Sequence, residues 1–173
     1  AMFVDIGMEK NAFLHFWDAI PAALDDSNME SVRRPAKKQS RITAKDIPSI
    51  YPVGSEVMVQ VTKGPIGNKG PRITTNISLP GRFMVLMPMN DQFGISRKIE
   101  DPKERARLRK IMENLQLPET MGIILRTVCQ GQRQRYFIRD LSILLDQWDA
   151  IEEKKKKTPA PCCVFQEPGI VER

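Results

Sequence analysis

The segment "GIILRTVCQG", residues 122–131, carries an apolar run of Ile123, Ile124 and Leu125 that stops at Arg126 and Thr127 before a glycine-bearing turn. A buried strand that ends in a guanidinium beside a hydroxyl has two uses. Arg126 forms a surface ion pair, or the two side chains converge on a phosphate. A planar guanidinium offers parallel donors to two phosphate oxygens, which an ammonium cannot. Other chemistry-bearing residues are few. His15, between Leu14 and Phe16, is the single histidine, so no second one shares the work of a Ser-His-Asp or Cys-His set. There is no His/Cys metal-ligand spacing, no Gly-x-x-x-x-Gly-Lys phosphate loop and no acidic cluster of the two-metal type. Cys129, Cys162 and Cys163 form neither a Cys-x-x-Cys pair nor an even disulfide set. A reducing, intracellular compartment fits that usage. The adjacent Cys162 and Cys163 read as strand residues rather than metal ligands. The chain therefore reads as a binding module with no catalytic residues and no metal site of its own.

Charge indicates what it binds. A net charge of +6 over 173 residues favours an anionic partner, nucleic acid first and an acidic membrane surface second. A basic surface with no partner is the bland alternative. "SVRRPAKKQSRITAK", residues 31–45, holds Arg33, Arg34, Lys37, Lys38, Arg41 and Lys45 and no acid. It is either a solvated loop or a phosphate-contacting arm. Lys154 to Lys157 suit the negative end of a helix dipole better than a dedicated RNA contact. No apolar run approaches the roughly 18 residues of a membrane span, and the start lacks a signal-peptide layout. The chain opens on a strand-like run without a start methionine and stops in similar fashion, as a fragment of a longer protein would.

The positioning elements follow from periodicity. Residues 2–6 alternate as a short strand, and "NAFLHF", residues 11–16, is a second extended stretch. Residues 17–50 form a long loop. In "GSEVMVQVTK", Val57, Val59 and Val61 point to one face and Met58, Gln60 and Thr62 to the other. "GPIGNKGPR" is a turn, and "ITTNISL" alternates again. Short strands joined by glycine-rich turns predict a small barrel over residues 1–79. From residue 80 to about 160 the pattern becomes α+β. "RFMVLMP" is apolar on both faces. "DPKERARLRKIMENLQLP" is a helix with Asp101 as N-cap, Pro102 at its first position and Glu104 placed for a capping box. A longer helix runs from about Arg133 to Lys155, with Phe137, Leu141, Leu144, Trp148 and Ile151 as its core stripe. Residues 161–173 begin a following segment.

Those residues carry a family resemblance. "FVDIGMEKNAFLHF" followed by "VGSEVMVQV" resembles the S1-type RNA-binding fold, a five-stranded oligonucleotide-binding (OB-type) barrel. "EVMVQVTKGPIGNKGPRITTNISLPGRFMVLMP", "GISRKIED", "LPETMGIILRT" and "LLDQWDAI", in that order, resemble the ribonuclease E/G family. The resemblance implies a mixed β and α+β architecture: an S1-like barrel lacking its first strand, then a domain that senses the 5′ end of RNA. It implies that Phe3 and Phe13, which the bare sequence allows as core residues, present rings to RNA bases, and that Lys69 is a basic RNA contact. Arg126 and Thr127 match the pair that binds a 5′-terminal monophosphate, with Gly81 and Val85 as backbone positions beside it and nearby amides completing the ring. Cys129 and Gln130 depart from the small residues usual at the rim. The implied whole is a cytoplasmic, single-strand-specific endoribonuclease of RNA processing and decay. This chain supplies RNA binding and 5′-monophosphate sensing and is inactive alone. Magnesium, with zinc as a further candidate, serves the full-length parent, and no cofactor is expected in this chain. The expected partners are single-stranded RNA with a 5′-monophosphate, the rest of the parent nuclease and, as an open case, a second copy in a homo-oligomer. The rival reading is a non-catalytic S1-type module of a translation or ribosome-associated protein.

Overall fold

A computed structural model describes residues 1–20, 29–32, 43 and 45–167. It is a mixed α/β structure with two small sheets and three α-helices among the described residues. Strands β1 (Met2–Val4) and β2 (Ala12–Leu14) precede a 3-10 turn at Phe16–Asp18, strand β3 (Met29–Val32) and the short helix α1 (Ile47–Ile50). Strands β4 (Gln60–Lys63), β5 (Arg72–Thr74), β6 (Leu79–Pro80), β7 (Met84–Met87) and β8 (Phe93–Ser96) follow. Helix α2 (Pro102–Asn114), strand β9 (Gly122–Leu125), a second 3-10 turn (Thr127–Cys129) and helix α3 (Gln134–Lys157) complete the order.

The first sheet runs β1-β2-β5-β4, with β1–β2 and β4–β5 antiparallel and β2–β5 parallel. Alternation turns Ala12, Leu14 and Ile73 inward and leaves Phe3, Phe13 and Arg72 outward. Ala19 and Ile47 close the small core. Among the described residues no pairing joins β1 to β4, so the sheet is open where a barrel would close. Two strands are also shorter than their alternation suggests. β4 begins at Gln60, not Val57, and Val61 stays 51% exposed on this edge strand. β5 stops at Thr74 because polar side chains take over the backbone groups beyond it. The Thr74 hydroxyl accepts from Asn76 N at 3.1 Å, and the Gln60 side chain bonds Ser78 N at 2.8 Å and Ser78 O at 3.0 Å.

The second sheet runs β3-β8-β9-β7-β6. Met84 pairs with Leu125 and Leu86 with Ile123 across β7–β9, while Phe93 and Ile95 face Ile123 and Leu125 across β8–β9. This puts all six on one face, where Leu108 and Met112 of α2 and Phe137, Leu141 and Leu144 of α3 bury them. The sheet's outer edge is completed from far back in the chain, since β3 pairs antiparallel with β8 through Met29↔Ser96 to Val32↔Phe93.

Helix α2 starts as its punctuation predicts, with Asp101 Oδ1 accepting from Lys103 N at 2.9 Å and Pro102 in the first turn. The capping box does not form. The Glu104 carboxylate turns to the Arg107 guanidinium and accepts from Gly131 N at 2.8 Å. The Arg107 hydrogen bond holds Glu104 below the usual carboxylate range. At the far end of α3, Lys155 and Lys157 lie 3.6 and 3.3 Å from Glu152 and Glu153, as a solvated helix end would pair its charges. Cys162 and Cys163 lie outside any strand, against the strand expectation, because the chain around them forms no ladder. The basic run Arg33 to Arg41 lies outside the described residues. Among the described residues no helix is long and apolar enough to cross a membrane.

Candidate functional site

Two surfaces carry the residues singled out by sequence. On the first sheet, the register sets Phe3 directly opposite Phe13, with ring centroids 5.9 Å apart and the planes 68° apart. Phe13 in turn faces Arg72, and Arg72 faces Lys63, so two rings and two cations line up across all four strands. His15 follows Phe13 by two residues and its ring lies 6.2 Å from it. The Asp18 carboxylate fixes Arg72, accepting from Nε at 3.0 Å and Nη2 at 2.8 Å. Lys69 is exposed at the end of this sheet, in a turn closed by Ile66 N to Lys69 O (3.1 Å) and Lys69 N to Ile66 O (3.0 Å). Gly70 lets that turn touch the β1–β2 connection: a Cβ there would lie 2.1 Å from Asn11 O. An exposed ring beside a half-buried one, with cations on the adjoining strands, can stack unpaired bases and contact phosphates without reading sequence.

The core alternative for Phe3 is answered by its 71% exposure; Phe13 is half-buried. Phe3→Ala should therefore destabilise by less than about 1 kcal/mol, well short of the roughly 3–5 kcal/mol of a core phenylalanine. Urea unfolding of the variant checks this, and a core-sized loss would return Phe3 to the interior.

The second surface is a cleft of about 350 Å³ walled by Pro80, Gly81, Arg82, Arg126, Asp140, Ile143, Leu144 and Gln147. Strand β9 delivers Arg126 to its mouth, where Arg126 N donates to Phe83 O at 2.9 Å and Nη1 to Gly81 O at 2.8 Å. Among the described residues no carboxylate forms an ion pair with Arg126, and its guanidinium is held by the Gly81 carbonyl. The 81–84 turn is held from α3. Asp140 Oδ1 accepts from Arg82 N at 3.1 Å, and Oδ2 accepts from Phe83 N at 2.8 Å and Met84 N at 3.1 Å. These three amides form an anion nest that the chain fills with its own carboxylate. Gly81 N donates to Met84 O at 2.8 Å. The expectation of backbone amides around a ligand is thus not met by residues 81–84, and the cleft's free donors are side chains. Gly81 is required by the crowding: a Cβ would lie 2.6 Å from Asp140 Oδ2 and 2.9 Å from Leu144 Cδ1. Arg126 and Gly81 are brought together. Val85, opposite Ile124, and Thr127, exposed at the start of the 3-10 turn, are not among the cleft walls.

The family model for the ribonuclease E/G family matches residues 78–173, more than half of the chain and the part that contains this cleft. The chain belongs to the ribonuclease E/G family. It is 38% identical to ribonuclease G of Haemophilus influenzae over 171 residues, which is 99% of this chain and 33% of that protein. It is 36% identical to ribonuclease G of Escherichia coli strain K12 over 173 residues, 100% of this chain and 34% of that protein. With ribonuclease E of a Nostoc species it shares 36% identity over 174 residues, covering 23% of that protein. The chain thus spans about a third or less of the length of these curated relatives.

Within this ribonuclease E/G chain, Cys129 belongs under the cleft and not on its rim. It is fully buried, and its thiol donates to Phe83 O at 2.9 Å. Burial pushes the Cys129 thiol up to about 12, and a thiol so protonated is a poor nucleophile. A disulfide reagent at pH 8 should label Cys163 and Cys162 and leave Cys129 unmodified until urea is added. Fast labelling of all three in the native state would contradict this. The unfolded thiol ionises near 9.0 and the folded one near 12, so the stability gained by keeping it protonated is present below pH 9 and is lost as pH rises through that window. Helix α2 secures the exit of the same turn, through Glu104 to Gly131 N and Arg107 Nη1 to Gln132 O at 2.9 Å. Asp140, Asp18 and Arg72 were not singled out by sequence. Only His15 had a local signal, since alternation in "AFLH" places it on the Phe13 face. Among the described residues no three His, Cys, Asp or Glu side chains stand together as metal ligands.

Proposed function

We propose that this chain is the RNA-binding and 5′-monophosphate-sensing part of a ribonuclease E/G-type endoribonuclease, acting in RNA processing and decay in the cytoplasm. In this reading the first sheet belongs to an S1-like, OB-type unit in which Phe3 and Phe13 stack on bases of a single strand and Lys69 contacts its backbone. The cleft receives the 5′-terminal phosphate, with Arg126 as its principal ligand and Gly81 shaping the approach, while Thr127 and Val85 act from beside the cleft rather than from its walls. Hydrolysis, with its magnesium, belongs to the rest of such a protein. The observation that carries the reading is Arg126: a guanidinium fixed by the Gly81 carbonyl at a cleft mouth, without a carboxylate partner among the described residues. Family membership favours this over a translation-associated S1 module.

The test is direct binding of one short single strand carrying a 5′-monophosphate, a 5′-hydroxyl or a 5′-triphosphate, at fixed salt because phosphate contacts make affinity salt-dependent. The monophosphate should bind tightest. Equal affinity for monophosphate and hydroxyl ends would refute the sensing role. The same preparation, free of contaminating nuclease, should not cut RNA when magnesium is added.

A further inference from the structure

Beside the cleft, four side chains form a connected stack to which the proposed function gives no task. Arg82, a wall of the cleft, covers the Phe83 ring with its guanidinium carbon 5.4 Å from the centroid. Phe83 stacks on Tyr136, with centroids 6.1 Å apart and 23° between planes. Arg135 covers Tyr136 at 4.9 Å and donates from Nη2 to the Tyr136 hydroxyl at 3.1 Å. Arg82 and Arg135 are exposed, and among the described residues neither meets a carboxylate. Tyr136 lies one helical turn before Asp140 on the α3 stripe that lines the cleft, so the stack prolongs the cleft along one helix face.

Covering Phe83 requires only an apolar neighbour. Two guanidinium groups held over rings provide something more specific: flat cations whose orientation is set before a ligand arrives. Guanidinium planes accept stacked, unpaired bases, and their N–H edges meet phosphate oxygens. An acidic peptide would use the charge and leave the planes idle, so the chemistry favours a single-stranded nucleic acid.

We propose that Arg82 and Arg135 form a second RNA-contact site that takes the nucleotides following the 5′-terminal one. This rests on the reading that the cleft receives the 5′ end. The test compares the 173-residue chain with its Arg82→Gln/Arg135→Gln double variant. The probes are uridine 5′-monophosphate and a hexauridylate with a 5′-monophosphate or a 5′-hydroxyl. The double variant should bind both hexanucleotides about tenfold or more weakly, the scale of losing stacked and phosphate contacts. The Arg135→Gln single variant should keep its monophosphate-to-hydroxyl affinity ratio and its affinity for the mononucleotide within about twofold of the parent chain, because Arg135, unlike Arg82, is not a wall of the cleft. An Arg82→Lys/Arg135→Lys chain, which keeps charge but loses both planes, should also bind the hexanucleotides more weakly than the parent. Unchanged hexanucleotide affinity of the double variant would overturn the proposal, as would a mononucleotide loss from Arg135→Gln equal to its loss on the hexanucleotides, or an equal hexanucleotide loss from Lys110→Gln as a remote charge control. Capture of a hexaglutamate peptide that the double substitution abolishes, with RNA affinity intact, would overturn it in favour of a protein partner. A parent chain with no preference for the monophosphate end would sink the sensing role, yet the hydroxyl-ended hexanucleotide would still report on Arg82 and Arg135.

Discussion

Arg126→Lys should erase most of the preference for a 5′-monophosphate over a 5′-hydroxyl while sparing general affinity for single strands. The guanidinium already gives Nη1 to Gly81 O, and its remaining N–H groups project from a fixed plane. Lysine keeps the charge but cannot cap that carbonyl and present a parallel pair of donors together. Losing one hydrogen bond to a charged group costs roughly 1.5–3 kcal/mol, about a ten- to hundredfold fall in the affinity ratio. Titrations of the two ends at one salt concentration read it out. A ratio that survives the substitution would reduce Arg126 to a surface cation.

Asp140→Ala is expected to be the most damaging single change at the cleft. It removes the acceptor for three amides at once, those of Arg82, Phe83 and Met84. Charged hydrogen bonds of this kind are each substantial, but water can reach the Arg82 amide, so the expected loss is about 2–4 kcal/mol in all. The melting temperature should fall, and the end preference with it, because the Gly81 carbonyl that orients Arg126 belongs to the released turn. Asp140→Asn keeps one acceptor oxygen and should fall between the two. Denaturation midpoints and the affinity ratio, measured on the same samples, check both halves. A stable Asp140→Ala chain with an intact ratio would mean the turn holds itself.

What could be read from the sequence was local. Asp101 and Pro102 announce α2 because a cap and a first-turn proline act within one turn of chain, and the stripe Phe137 to Ile151 announces α3 by its period. Arg126 stood out because an apolar strand stopped beside it. Asp140 could not stand out, since a carboxylate on an amphipathic helix is ordinary and its three amides lie 56 to 58 residues away. Glu104 had a capping-box position and took another task because Gly131 N, 27 residues on, came within reach. Alternation located the strands of the first sheet but could not tell where Gln60 and Asn76 would end them. Closure of a barrel was least accessible of all, because it depends on two edge strands, β1 and β4, that no local pattern connects.

The family match begins at residue 78, yet the sheet within it borrows its edge strand from residues 29–32. A gene cut at that point would encode a cassette with the β8 edge bare, a row of unpaired amides and carbonyls open to any passing strand. Recombination that moved only the matched region into a new protein would carry the cleft away without the strand that covers that edge. The inheritable unit is thus longer than the recognisable one, and it includes a stretch of the preceding connection.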